Sequence, residues 1–127
     1  MAKTNPKVTA RLKRIKRIRK KISGTVDCPR LRVFKSAKHI YGQLIDDAAG
    51  RTIVAASTLD KELAGSDKDG GQKGMAHKVG ILLAEKAKKE GVGKVVFDRG
   101  GFLFHGRIKS FSDGAREGGL KFYVSFN

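Results

Sequence analysis

The richest chemical constellation in this chain is Asp98 to Arg107, DRGGFLFHGR. Arg99, His105 and Arg107 supply hydrogen-bond donors around Phe102 and Phe104. Gly100 and Gly101 carry no side chains, so the backbone there can come close to a bulky partner. Such a grouping suits RNA, whose phosphates meet arginine and whose exposed bases lie on aromatic or guanidinium planes. The plainer account of Phe102 and Phe104 is that they fill a core. Arg30, Arg32, Lys35, Lys38, His39 and Tyr41 form a second grouping, a basic edge with a single aromatic.

Catalytic chemistry is harder to assemble. His39, His77 and His105 are far apart in sequence, and none belongs to a metal-ligand pattern such as HExxH. No serine lies in a GxSxG elbow, and Gly65 to Gly74 lacks the GxxxxGK[ST] order of a phosphate-cradling loop. Asp46, Asp47 and Asp98 fall at predicted strand ends, where carboxylates can hold Mg²⁺ for nuclease chemistry. Turn formation and strand-end capping are the plainer roles for aspartate there. The single cysteine, Cys28, has no partner at zinc-ligand spacing and reads as structural or incidental. No cofactor and no small-molecule substrate are implied.

The elements that would position these residues follow from periodicity. Arg30–Lys35 alternates basic and apolar residues until Phe34 breaks the pattern, which is a strand signature. His39–Asp46 is a second strand across the short connection Ser36-Ala37-Lys38, and β-branched Arg51–Thr58 is a third. After a polar loop at 65–74, Met75, Val79, Leu82, Leu83, Ala84 and Ala87 trace a helical stripe from about Gln72 to Glu90, stopped by Gly91. Lys94–Asp98 is a short buried strand that needs a parallel partner reached by a crossover. A second helix runs from about Gly106 to Glu117 and closes at Gly118-Gly119. The expected fold is α/β, a two-layer domain with a mixed sheet and the order βββαβα, with the second sheet face left for a partner.

Charge divides the chain in two. Of 28 Lys and Arg, ten fall within residues 1–22, which contain no acid; residues 23–127 keep 18 basic against 12 acidic residues. Residues 1–22 thus read as a basic arm, disordered or partly helical when free, and residues 23–127 as one α/β domain. Within the arm Val8, Leu12, Ile15, Ile18 and Ile22 recur at helical spacing, with Arg11, Arg14, Arg17, Arg19 and Lys20 among the cations around them. The net charge of +16 demands a polyanion. No run approaches the roughly 18 apolar residues of a membrane span, and the arm lacks tryptophan, phenylalanine and tyrosine, so nucleic acid is expected and a membrane is not. A cytosolic RNA-binding protein is the leading expectation. A Mg²⁺-dependent RNA-processing enzyme and a packaging protein that relies on the arm alone are the alternatives.

Three stretches, PRLRVFKSAKHIYGQLID at 29–46, ASTLDKEL at 56–63 and KVVFDRGGFLFHGRIKSFSDGAREGGLKF at 94–122, occur in an order that resembles the bacterial large-subunit ribosomal protein eighteen family. The resemblance implies binding to 5S rRNA and attachment of that RNA to 23S rRNA in the central protuberance, beside other 5S-binding ribosomal proteins. Carried over by position, it implies RNA contacts at Arg30, Arg32, Lys35, Ser36, Lys38, His39, Tyr41, Arg99, Gly100, Gly101, His105 and Arg107, with Arg116 a weaker candidate. Members usually carry a basic residue just before the Pro-Arg-Leu, where this chain has Asp27 and Cys28. The family pattern commonly ends near GLKF, which leaves Tyr123 to Asn127 without an implied role.

Overall fold

A computed structural model describes residues 6–21, 23–63 and 71–123. Helix α1 (Pro6–Lys21) opens on proline at its first position, where the missing N–H has no helical partner to lose. The strands β1 (Arg30–Lys35), β2 (Ile40–Asp46) and β3 (Arg51–Ser57) follow as an antiparallel meander. Helix α2 (Gly71–Lys89), strand β4 (Lys94–Asp98) and helix α3 (Arg107–Glu117) come next, each within a residue or two of its predicted bounds. The parallel partner expected for β4 is β1, with Leu31 level with Phe97.

Two elements were not anticipated. Lys61–Leu63 forms one turn of 3₁₀ helix, and β5 (Lys121–Tyr123) adds an edge strand parallel to β4. After α1 the order is therefore βββαβαβ, in a five-stranded mixed sheet arranged β3-β2-β1-β4-β5. Three residues are too few to show alternation, and β5 depends on its neighbour: the Lys121 N–H donates to the Gly93 carbonyl at 3.0 Å. Ile22, most of the polar loop (64–70) and 124–127 lie outside the described residues.

Alternation decides what each sheet face meets. Leu31 and Val33 of β1 point with Ile40 and Leu44 of β2 into a core closed by Val79 and Leu83 of α2 and Ile108 and Phe111 of α3, all essentially inaccessible. Each such side chain contributes about 1.5–3 kcal/mol through burial. The two helices touch closely because Gly80 of α2 lies directly on the Phe111 carbonyl and the Ala115 amide.

The opposite face takes α1. Ile18 packs on Val96 with Cys28 beside them, a small cluster separate from the main core. Only the C-terminal part of the arm's apolar stripe is used in this way, since Val8 and Leu12 remain 40% and 49% exposed.

Candidate nucleic-acid interface

The interface rests on an interior ion pair. Arg30 is 3% exposed. Its Nε and Nη2 donate to the two Asp47 oxygens at 3.0 Å each, and its Nη1 donates to Asp98 Oδ2 at 2.7 Å. Burial alone would lower the guanidinium's pKa, but the hydrogen bonds and attraction of Asp47 and Asp98 more than offset it and hold the group above its ordinary value. Arg30 was expected among the RNA contacts. The structure buries it and engages each of its three nitrogens in joining β1, β4 and the turn after β2.

The same bonds account for the three aspartates considered as Mg²⁺ ligands. Asp98 is fully buried, and besides Arg30 its Oδ1 accepts from the Gly100 N–H at 2.8 Å. Asp46 Oδ1 caps the following turn, accepting from the Ala48 and Ala49 amides. Among the described residues no group of three or more His, Cys, Asp or Glu could hold a metal.

Asp98 in turn shapes the loop after β4. Its bond to the Gly100 amide starts a turn in which Gly100 and Gly101 have φ of +66° and +78°, a region that favours glycine. Both glycines are buried, and the bulky partner that Gly101 admits is the protein's own α1. A Cβ at Gly101 would lie 2.8 Å from the Arg11 carbonyl oxygen and 2.9 Å from Ile15 Cγ1, while one at Gly100 would meet the Val33 carbonyl and Arg32 Nε. The two glycines therefore act by docking the arm and packing on β1, and do not offer bare backbone at the surface.

Cations gather where α1 crosses this loop. Arg14 Nε donates to the Gly101 carbonyl at 2.7 Å, and Arg99 Nη1 donates to the Phe102 carbonyl at 3.1 Å. Above Phe102 stand the Arg11 guanidinium, 5.0 Å from the ring centroid, and Lys35 Nζ at 5.5 Å. Such cation–ring contacts contribute roughly 0.5–1 kcal/mol each at exposed sites. Phe102 thus half fills the core and half serves as a floor for basic side chains.

A second group lies at the β1–β2 turn. The Ser36 hydroxyl accepts from the His39 amide, the Ser36 carbonyl accepts from Arg107 Nη2 at 2.9 Å, and His39 Nδ1 pairs with Thr58 Oγ1 at 2.8 Å. Lys38 is exposed at the tip, and Arg17 is exposed on α1. His105 is exposed in the late loop. Arg116 stands apart from both groups, with its guanidinium 4.6 Å from the Phe122 ring at the β5 edge. The side chains of Arg19 and Lys20 lie outside the described residues.

Between these groups lies the sheet face expected to be left for a partner, where Phe34, Gln43 and Ile45 join the anticipated Arg32, Ser36 and Tyr41. Arg32, Phe34, Ser36, Tyr41, Gln43 and Ile45 line a shallow groove on the face of β1 and β2 turned away from α2 and α3. Phe34 is 42% exposed there. One sequence signal marked it: Phe34 stands where the alternation calls for a polar residue, two positions after Arg32.

Most acids among the described residues lie away from this surface, with exposed Asp27, next to Cys28, the exception. Glu62, Glu85, Glu90 and Glu117 are exposed on or beside the helices of the other face, and Asp27 precedes β1. The α1 sequence contains no acid, and the two aspartates bound to Arg30 are turned inward. A cationic helix and an open, partly aromatic sheet face, with most of the described acids held inside or on the far layer, define an α/β domain suited to meet a polyanion.

The comparisons with known proteins agree. The family described as Ribosomal L18 of archaea, bacteria, mitochondria and chloroplasts matches residues 5–122. The large ribosomal subunit protein uL18 of Desulfotalea psychrophila is 62% identical over 122 residues, covering 96% of this chain and 100% of that protein. Those of Myxococcus xanthus and Clostridium botulinum are 56% and 54% identical, covering 91% and 96% of this chain and 98% and 100% of theirs. The chain belongs to the L18 family of ribosomal proteins, structural constituents of the large ribosomal subunit and not enzymes. No helix among the described residues is long and apolar enough to cross a membrane.

Proposed function

We propose that this chain binds 5S rRNA and attaches it to 23S rRNA in the central protuberance, in contact with the other 5S-binding ribosomal proteins. The observation that carries this reading is the clustering of charge: α1, the loop at 99–107 and the β1–β2 turn bring cations together on one side of the sheet, where few of the described acids lie. In the resulting clamp, Arg11, Arg14, Arg17, Arg19 and Lys20 of the arm run along phosphates. Arg32, Lys35, Ser36, Lys38, His39, Tyr41, Arg99, His105 and Arg107 meet a helix and its adjoining loop. Recognition is mainly of shape, because the deep major groove of A-form RNA hides its base edges. Arg30, Gly100 and Gly101 hold this surface in place from beneath, and Arg116 lies at its margin.

Residues 1–22 act as an arm that is loosely held before RNA arrives. Their like charges repel, and among the described residues the seat on the body includes Ile18 on Val96, Arg14 and Ile15 at Gly101, and Arg11 over Phe102. Phosphates would neutralise the repulsion and extend the contact. The experiment is to recover the tagged protein from cells under mild salt and sequence the RNA that accompanies it. Enrichment of 5S rRNA over transfer RNA and over 16S fragments is expected; equal recovery of all RNAs would refute the proposal.

A further inference from the structure

The groove on the β1–β2 face holds aromatic surface that the fold does not need. Phe34 and Tyr41 sit opposite each other in the strand register, with ring centroids 6.0 Å apart and planes inclined at 38°. Phe102 meets Phe34 edge-on at 6.0 Å, which fixes the Phe34 ring from one side. Yet Phe34 stays 42% exposed on a strand whose inward residues Leu31 and Val33 are fully buried. Phenylalanine left open on the middle of a sheet face forgoes the burial that usually justifies it. At the rim stand Arg32, a cation beside an aromatic surface, and exposed Gln43, whose amide both donates and accepts.

We infer that Phe34 and Tyr41 form a stacking site for one unpaired nucleobase of the bound RNA, with Gln43 placed to hydrogen-bond the base edge and Arg32 to hold the adjoining phosphate. This rests on the RNA-binding reading and adds to it a subsite that charge does not explain. Duplex RNA presents no base face to a flat sheet, so the occupant is a bulged or loop nucleotide. Charge complementarity favours RNA over a protein segment, since Arg32, Lys35 and Lys38 lie on the two strands and turn that carry the rings.

The test measures affinity for a transcribed 5S rRNA at several salt concentrations, together with tyrosine emission. The chain has two tyrosines and no tryptophan, so Tyr123→Phe leaves Tyr41 as the only emitter. Saturating RNA should quench that emission after correction for RNA absorbance. Phe34→Leu, which keeps apolar bulk but lacks a π face, should weaken binding about five- to 150-fold, the range for loss of one base–aromatic stack. Its salt slope and its melting temperature should stay near those of the parent. Phe34→Tyr should bind within about twofold of the parent, since every aromatic offers a stacking face. Parent-like binding by Phe34→Leu, or Tyr41 emission unchanged at saturation, would overturn the inference and leave the groove to a protein neighbour. Quenching without any preference for 5S rRNA over transfer RNA would refute the 5S reading while upholding the stacking site.

Discussion

Replacing Arg30 with methionine separates a structural arginine from an RNA contact. The substitution keeps an unbranched chain of similar reach and removes every donor. Asp98, at 0% side-chain exposure, would retain only the Gly100 amide, and Asp47, at 17%, would retain the Gly24 amide at 2.6 Å. Removing one member of a pair buried this deeply costs about 3–5 kcal/mol, because the carboxylate left behind is neither solvated nor paired. Domains of this kind are stable by roughly 5–15 kcal/mol, so the loss is a large fraction of the total. With a urea dependence of ~1–3 kcal/mol per molar, the unfolding midpoint followed by far-UV circular dichroism should fall by about 2 M. Arg30→Met combined with Asp98→Leu should recover part of that loss, since the second change removes the stranded charge. RNA binding by the folded fraction should keep the parent salt slope. A midpoint shift below about 0.5 M, with a salt slope reduced by roughly 0.7–0.9, would mean that Arg30 faces phosphate after all.

Gly101→Ala should loosen α1 from the body, because its Cβ meets the Arg11 carbonyl and Ile15 and its φ of +78° is strained for alanine. Trypsin should then cut within residues 7–21 several-fold faster, whereas Gly50→Ala, at φ +65° with open space around it, should leave that rate unchanged. Neutralising exposed Lys13, Lys16 and Arg17 to glutamine should lower the salt slope of RNA binding by roughly two to three, which a fluorescence anisotropy titration would read. Cys28 should react slowly with iodoacetamide near pH 8, since burial raises its pKa and the nearby Lys94 only partly offsets that; Lys94→Gln should slow it further. Because its folded pKa lies above the unfolded one, the stability it contributes is present at neutral pH and is lost as pH rises from the unfolded thiol pKa through the folded value, which urea midpoints across alkaline pH would detect.

The elements legible in the sequence are those with a repeated pattern. Alternation in 30–35 and the stripe from Met75 to Ala87 set strands and helix to within a residue or two. The β5 strand was hidden because three residues carry no period and its place depends on β4. At the site, residue types marked the right segments but not the direction of each side chain. Arg30 and Arg32 stand two apart on the same strand face, yet Arg30 lies beside Asp98 of β4 and is drawn inward, while Arg32 lines the open groove. The strand register does not distinguish them, since it sets Arg32 level with Asp98; the two bonds to Asp47 in the turn after β2, together with the bond to Asp98, fix Arg30. Gly100 and Gly101 read in sequence as space for a bulky partner, whereas Gly101 admits α1 and Gly100 packs on β1, which no local pattern could reveal. Phe34 was visible as a break in alternation; its meaning required the register that sets it against Tyr41.

The most direct test of the central claim is a competition between labelled 5S rRNA and excess transfer RNA for the full chain, repeated from low to physiological salt. The one-sided cationic surface predicts log affinity falling with log salt at a slope of roughly −5 to −8, as expected for about six to ten neutralised phosphates, with 5S rRNA retained at every salt. A shallow slope, or displacement of 5S rRNA by an equal mass of transfer RNA, would contradict it.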